Sequence, residues 1–256
     1  MADVGVVGLG LIGGSVHRAL GDRAVGWDPD PAVRAAAAAD GLTVADHRGD
    51  VLSTPLVVVA APLAVSHDVV AEVLAVVGDA TVTDVASVKG PTLAAAADNP
   101  AFVPSHPMAG TERSGWWASD ADLFRGAPWL VLTSDGADEA RVGDVEQLAA
   151  AVGAKPMRLD PTVHDKILAR ISHLPHVLAA VLTLLAEPHL PLAAGSMHGA
   201  ARVAAGDPAL PTAMVDLNHD EVTAAIDELI GQLQRFRDDR DAAAWFARAR
   251  AAWSRH

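Results

Sequence analysis

The segment with the clearest chemical potential is a polar, histidine-bearing stretch inside an alanine- and valine-rich chain. It runs from Pro104 to Gly115 and places His106 directly before Pro107. Because proline fixes its own φ and pushes the preceding residue toward extended conformations, we expect His106 on a stiff loop. An imidazole aimed in this way can serve as a general base. The alternative is a surface histidine with no chemical role, and the rest of the chain must decide between the two.

A glycine-rich turn lies between a strand-like run and a helical run near the N-terminus. Gly8 permits a tight turn, Gly10 lets a pyrophosphate approach the backbone, and Gly13 lets the helix pack closely on the strand. The first turn of that helix offers free N–H groups and the positive end of the helix dipole. The residues expected to bind a dinucleotide here are Gly8, Leu9, Gly10, Leu11, Ile12 and Gly13.

Asp28 follows the next strand-like run, 24–27, and lies 20 residues after Gly8. At this spacing its carboxylate is expected to accept hydrogen bonds from the adenosine ribose and to repel a 2′-phosphate, which favours NAD over NADP. The alternative is a carboxylate that only opens the turn 28–31. Arg34 is the nearest cation that could weaken the preference for NAD.

Apolar runs later in the chain continue an α/β pattern. Strands are expected at 56–60, 80–85, 102–103, 127–133 and 155–159, with helices at 32–39, 68–77 and 138–152. Ligands of such sheets gather beyond the carboxyl ends of the strands, so Ala61, Pro62 and Ser87 are expected along the cofactor. Ser87 alone could equally cap the helix that begins near Pro91.

The strand at 102–103 is expected to deliver His106 to the edge of the sheet where the cofactor lies. Lys89, close to that edge in the same reading, is either a solvated surface lysine or a local cation. The residue pattern leaves these two possibilities open.

Strand signals end at Thr162, and alanine- and leucine-rich helical patterns follow. We therefore predict an α/β Rossmann-type dinucleotide-binding domain over 1–160 and an all-α helical domain for substrate binding and dimerisation over 161–256. Excess apolar surface on these helices predicts a homodimer.

Two histidines of the helical region, His173 and His176, are three residues apart and would share a helix face. A third ligand at a recognisable spacing and the glutamate of a zinc-protease motif are both missing, so no metal site is expected. Pro175 lies between them and should bend the helix, because it removes a backbone donor.

The composition narrows the classes of partner. The chain has 256 residues, 51% of them hydrophobic, a net charge of −13 and no cysteine. The negative charge argues against nucleic acid and anionic membranes as partners, and the lack of cysteine excludes disulfides and thiolate chemistry. Gly, Pro, Asp and His are expected to interrupt the apolar segments before they reach the ~20 residues that a membrane helix needs. The N-terminus lacks the features of a secretory signal. A cytoplasmic enzyme with no membrane partner is expected.

Four ordered motifs, at 8–14, 84–89, 106–115 and 172–176, together resemble the prephenate/arogenate dehydrogenase family of tyrosine biosynthesis. The resemblance implies oxidative decarboxylation of a cyclohexadienol. Hydride leaves the ring carbon that bears the hydroxyl for NAD(P)+, carbon dioxide departs, and the ring becomes aromatic. Prephenate, giving 4-hydroxyphenylpyruvate, is the expected substrate, and arogenate, giving tyrosine, is the alternative on the same scaffold.

The resemblance also assigns roles to residues. His106 would take the proton of the ring hydroxyl, Ser87 would bond near that hydroxyl and the nicotinamide, and Arg202 would bind a substrate carboxylate. His176, with His173 beside it, would face the substrate side chain, and Glu112 would polarise or gate the pocket. The substrate residues expected on this basis are Arg202, His176, His173, Glu112, Ser172, Thr111 and Gly195.

The chain departs from the family pattern in the helical region. The segment 198–201 before Arg202 lacks the acidic residue and threonine usual there, and Leu210-Pro211 replaces a common tryptophan. The choice between prephenate and arogenate stays open for this reason. Two other readings remain: a β-hydroxyacid dehydrogenase or imine reductase, with a lysine or other donor expected near 172–176, and a catalytically silent NAD-binding regulator.

Overall fold

Short runs rich in β-branched residues form the strands of the N-terminal region, as expected for side chains that fit a pleated, buried surface. The computed structural model of the chain describes residues 3–111 and 113–255. The strands are β1 (Val4–Val7), β2 (Ala24–Trp27), β3 (Leu56–Val59), β4 (Thr81–Asp84), β5 (Ser105–Pro107), β6 (Pro128–Leu132) and β7 (Lys155–Leu159).

Helices alternate with these strands and then form the rest of the chain. They are α1 (Leu11–Leu20), α2 (Pro31–Ala39), α3 (Arg48–Val51), α4 (Ser66–Leu74), α5 (Gly90–Ala96), α6 (Glu139–Ala151), α7 (Pro161–Leu168), α8 (Leu174–Ala186), α9 (Gly195–Ala201), α10 (Ala209–Leu217), α11 (His219–Asp238) and α12 (Ala242–Trp253). Aspartate side chains at Asp30, Asp138 and Asp160 accept backbone N–H groups at the starts of α2, α6 and α7, which satisfies donors that a helix leaves unpaired.

The strands form two sheets. The first is parallel with the order β2-β1-β3-β4, and every residue of β1, β3 and β4 is buried. The second has the order β5-β6-β7, in which β5 is antiparallel to β6 and β6 is parallel to β7. Apolar clusters cover both faces of the parallel sheet, one built around α1 and α6 and the other around α4. This is the predicted Rossmann-type architecture.

The position of His106 corrects the loop prediction. His106 lies within β5 and pairs with Leu130, whereas Phe102 makes only a single bridge to Val82. The extended backbone that Pro107 imposes on His106 is also the backbone of a strand. β5 is an edge strand of its sheet, where a proline without an N–H is tolerated.

The first helices of the C-terminal region form one continuous helical segment. α7 passes through a π-helical turn, Ala169–His173, into α8, and tighter turns extend the segment to Leu192. Pro175 lies inside this continuous helix, two residues after the π turn, and has no N–H to donate to the preceding turn. The irregularity predicted at Pro175 is a π turn just before it.

By length and composition this segment, Pro161–Leu192, could cross a membrane. Its most apolar stretch of 18 residues has a mean hydropathy of 1.5, and 22% of that stretch is buried. The expectation that apolar segments break too early was wrong, because Pro175 does not interrupt the helix. The segment nevertheless carries buried His164 and His173 and packs through Ala169 against α11. Its exposed apolar residues include Val181, Leu182, Leu184, Leu185 and Leu192.

Candidate active site

The glycine turn between β1 and α1 is shaped by close backbone packing. Gly8 has φ +95°, and a Cβ added at Gly13 would overlap the carbonyl oxygen of Gly8. A Cβ added at Gly10 meets nothing within 4 Å, and no side chain caps the helix that begins after Gly10. The open backbone at Gly10 and the uncapped N–H groups of α1 fit the pyrophosphate of a dinucleotide.

Asp28 lies beside this turn at the end of β2. Its Oδ2 accepts the N–H of Leu9 at 2.8 Å, and its Oδ1 accepts the N–H of Asp30 at 2.9 Å. Asp28 therefore opens the turn after β2 and also borders the glycine turn, and its predicted contact with a ribose stays a prediction. Arg34 donates to the carbonyl oxygen of Asp28 at 2.6 Å, which brings a cation to the same corner.

The turns after β3 and β4 contain the other predicted cofactor residues. Ala61 is half-buried and Pro62 is exposed. The hydroxyl oxygen of Ser87 is buried and has no hydrogen-bond partner within the described residues. Ser87 is not a helix cap, because α5 begins after Lys89 and no side chain caps it. A buried hydroxyl of this kind is suited to a ligand.

Of the two possibilities that the sequence left open for Lys89, the structure shows a local cation and not a solvated surface lysine. Its side chain is 0% exposed, and its Nζ lies 2.6 Å from Oδ2 of Asp84, which is also 0% exposed. Burial lowers the pKa of Lys89, and the charge of Asp84 opposes this shift. Asp84 also accepts the N–H of Ser105 at 3.4 Å, so this ion pair lies directly beside β5.

His106 is 8% exposed and belongs to a chain of polar contacts that reaches the helical region. Its Nδ1 lies 3.1 Å from Nε2 of His164, and Nδ1 of His164 lies 2.7 Å from Oδ1 of Asp165. Asp165 also accepts the N–H groups of Lys89 at 2.8 Å and Gly90 at 2.7 Å. The structure thus joins β5, α7 and the turn before α5 at one point.

The surroundings hold His106 in its neutral form. Burial lowers its pKa well below the ordinary value, and the nearby Lys89, His164 and His173 add to this shift. A neutral imidazole at physiological pH is the form that can accept a proton. Burial raises the pKa of Asp165, but hydrogen bonds from His164 and from the backbone outweigh it and lower the pKa overall.

His173 is buried next to this group and is held by Asn218. The amide nitrogen of Asn218 donates to the carbonyl oxygen of Asp165 at 2.9 Å and lies 3.1 Å from Nδ1 of His173. Since a carbonyl only accepts, the amide orientation is fixed and Nδ1 of His173 is an acceptor. Its Nε2 therefore carries the proton, and this nitrogen is buried without a partner in the described part of the chain. Burial lowers the pKa of His173 to about 4, with Asp165 opposing the shift.

The remaining predicted substrate residues are more exposed. Arg202 lies on a short helical turn next to α9, which packs on α8, and makes no ion pair within residues 3–111 and 113–255. Gly195 and Thr111 are exposed, Ser172 and His176 are half-buried, and Glu112 lies outside the described residues. Burial lowers the pKa of His176.

Sequence reasoning assigned no role to His164, Asp165 or Asn218 and did not predict the Asp84–Lys89 pair. The signals for them were the motif at 84–89 and a His-Asp dipeptide at the start of an apolar helix. Adjacent residues of this type are common on surfaces, and only the fold reveals that His164 is 0% exposed.

Comparison with known proteins bears directly on this arrangement. The family model described as "Prephenate dehydrogenase, nucleotide-binding domain" matches residues 13–158, and the one described as "Prephenate dehydrogenase, dimerization domain" matches residues 160–240. The chain belongs to the prephenate dehydrogenase family. This confirms the predicted family, fold class and type of enzyme, an NAD-dependent oxidoreductase. Family membership sets aside the β-hydroxyacid dehydrogenase or imine reductase reading.

Two named relatives align over most of the chain. The prephenate dehydrogenase of Bacillus subtilis is 32% identical, and the alignment covers 91% of this chain and 68% of that protein. The cyclohexadienyl dehydrogenase of Zymomonas mobilis is 31% identical over 91% of this chain and 87% of its own length. A crystal structure of Aquifex aeolicus prephenate dehydrogenase with hydroxyphenyl propionate and NAD+ has the same fold, with a TM-score of 0.86, 24% identity and coverage of 100% and 98% of the two chains.

Proposed function

We propose that this protein catalyses the NAD-dependent oxidative decarboxylation of prephenate to 4-hydroxyphenylpyruvate, with His106 as the general base. The observation that carries the proposal is a buried His106 with a lowered pKa and its Nδ1 engaged by His164. Relatives named prephenate dehydrogenase and cyclohexadienyl dehydrogenase support the reaction class.

His106 has two tasks in this reaction. As hydride leaves the ring carbon, the hydroxyl on that carbon gives its proton to Nε2 of His106. Loss of carbon dioxide leaves its electron pair in the ring, and the aromatic oxygen then takes the proton back from His106. A positioned general base is worth about 10²–10⁴-fold in rate. Ser87, whose buried hydroxyl lacks a partner within the described residues, would hydrogen-bond near the same oxygen.

The N-terminal region would hold NAD through backbone more than through charge. Gly10 and the N-terminus of α1 would receive the pyrophosphate, and Asp28 would accept the ribose hydroxyls and repel a 2′-phosphate. Bound NAD+ supplies the hydride acceptor. Ala61 and Pro62 would lie along it, and Arg34 beside Asp28 is the residue that could admit some NADP.

The substrate would be bound by groups from the helical region. His173 offers a buried Nε2–H, and His176 lies one turn further along the same helical segment. Arg202 would bind a carboxylate in the manner that a planar, permanently charged guanidinium favours. Arogenate remains the alternative substrate because the segment before Arg202 departs from the family pattern.

We also propose a cytoplasmic homodimer formed through the exposed apolar face of α8. Support comes from the exposed side chains of Val181, Leu184 and Leu185, and from a dimerisation-domain match over this region. Light scattering should give twice the mass of one chain, and the L185D variant should give a mass closer to that of a single chain. A monomeric wild-type protein would contradict this proposal.

The deciding experiment measures NADH formation by the purified protein with prephenate and with arogenate, each with NAD+ and with NADP+. We expect turnover with prephenate and NAD+, and a lower rate with NADP+. Faster turnover of arogenate than of prephenate would make arogenate the proposed substrate. A protein that binds NAD+ but turns over neither compound would instead be a catalytically silent regulator.

A further inference from the structure

The two residues behind His106, His164 and Asp165, lie in α7, outside the region that carries the glycine turn. Nδ1 of His106 lies 3.1 Å from Nε2 of His164, and Nδ1 of His164 lies 2.7 Å from Oδ1 of Asp165. His164 is 0% exposed, and the two histidine rings meet edge to face with centroids 5.3 Å apart. Nothing in the proposed proton transfer uses these residues directly.

With a neutral His164, the hydrogen-bond chemistry of the three groups fixes where each proton lies. The carboxylate of Asp165 can only accept, so Nδ1 of His164 carries a proton. A neutral His164 then has a lone pair on Nε2, which accepts the Nδ1 proton of His106. His106 is left with its lone pair on Nε2, on the far side of the ring from His164.

The carboxylate that sets this order is itself immobilised. Oδ1 of Asp165 accepts from Lys89 N–H and Oδ2 accepts from Gly90 N–H, so the carboxylate cannot rotate without losing both bonds. The carbonyl group of the same residue is held by the amide of Asn218. Asp165 is therefore tied to the turn that follows β4 and to the residue that precedes α11.

We propose that His164 and Asp165 are positioning residues that hold His106 in the one tautomer whose Nε2 can accept the substrate proton. The need for that tautomer rests on the proposed function. The hydrogen-bond order rests on the geometry together with a neutral His164, and it can be measured without any substrate.

The test uses the full-length protein and its D165N, H164L and H164Q variants. D165N has one amide oxygen for the three N–H groups that the carboxylate accepts, so the proton order along His164 and His106 is weakened and a proton can move to Nε2 of His106. H164L removes the acceptor, while H164Q carries an oxygen that can reach the place of Nε2 and accept from His106. D68N is the matched control, because Asp68 also neighbours a histidine, His67, at 3.5 Å, but that pair is on α4 and partly exposed.

Two measurements separate positioning from a structural role. Nitrogen-15 NMR of labelled histidines reports which ring nitrogen of His106 is protonated, and steady-state kinetics reports kcat and KM. We expect D165N and H164L to lower kcat by about 10²–10⁴-fold with little change in KM or NAD+ affinity. H164Q should recover at least about tenfold over H164L, and D68N should match the wild type.

The outcomes are distinct from those that test the proposed function. A wild-type spectrum with the proton of His106 on Nε2, or a D165N variant with unchanged spectrum and kcat, would overturn the positioning role even in an active enzyme. Because D165N also loses a backbone hydrogen bond, its NAD+ affinity and melting temperature are measured. If D165N misfolds, the contrast between H164L and H164Q decides the question. A wild-type protein with the expected tautomer but no turnover would refute the proposed function and leave the hydrogen-bond order standing.

Discussion

The glycine turn at the N-terminus and the polar group around His106 are built in opposite ways. The glycine turn uses backbone atoms of one short segment, and the carboxylate of Asp28 accepts one of its N–H groups. The group around His106 uses side chains from β4, β5 and α7, and from the turns between them. A site made of backbone depends on what is absent, namely Cβ atoms, whereas a site made of buried side chains depends on every partner being present.

This difference predicts different responses to substitution. Adding one carbon should disturb the glycine turn only where space is lacking. Removing one partner from the buried group should disturb everything that it holds, because the remaining polar groups lose their hydrogen bonds.

The largest effect is expected at His106 itself. His106→Asn should lower kcat by about 10²–10⁴-fold, because the proton acceptor is lost, while NAD+ affinity stays unchanged. Steady-state kinetics and a fluorescence titration with NAD+ measure the two quantities. Normal turnover by this variant would remove His106 from the proposed role.

The next effect concerns the buried ion pair. Lys89→Met should lower the free energy of unfolding by about 3–5 kcal/mol, because Asp84 is left buried without its cation. Urea denaturation measures this, and Arg158→Met is the control. Arg158 pairs with Glu146 at 2.7 Å on the surface, where such a pair contributes at most about 1 kcal/mol. Equal losses in the two variants would contradict the distinction between the buried and the exposed pair.

A smaller effect is expected from a pair of glycine variants. Gly13→Ala should cost about 1–3 kcal/mol of stability and weaken NAD+ binding, because its Cβ would overlap the carbonyl oxygen of Gly8. Gly10→Ala meets no protein atom within 4 Å and should leave stability nearly unchanged. Thermal melting with and without NAD+ compares the two. If Gly10→Ala were the less stable variant, the backbone description of this turn would be wrong.

The most gradual effect is the response to pH. The pKa of His173 is lowered from 6.5 to about 4 in the folded protein, so the unfolded chain binds a proton that the folded chain excludes. Stability should therefore be complete above about pH 6.5 and fall as the pH drops toward 4. H173Q should reduce this slope in melting experiments, while His106, whose pKa is also lowered, keeps part of it; H189Q, at an exposed histidine, should leave the slope unchanged. Equal slopes in H173Q and the wild type would assign the effect to other groups.

The two sites also differ in how far the sequence could predict them. The Gly8, Gly10 and Gly13 spacing and the position of Asp28 predicted the strand-turn-helix that the structure forms there, because adjacent backbone atoms build it. His106 was predicted to take part in chemistry, but its strand was missed because two prolines suggested a loop. Lys89 was ambiguous and His164 had no assigned role, since burial and partners 58 residues apart depend on how the chain folds back on itself.

The contact between His106 and His164 joins two parts of the chain that fold around separate cores. Proton order at His106 is consequently a property of their association and not of either part alone. If the parts separate, His106 regains free tautomer exchange while the glycine turn remains intact. Nucleotide affinity and the ability of His106 to accept a proton are then separable quantities. A low concentration of denaturant should reduce proton acceptance by His106 before it reduces nucleotide affinity.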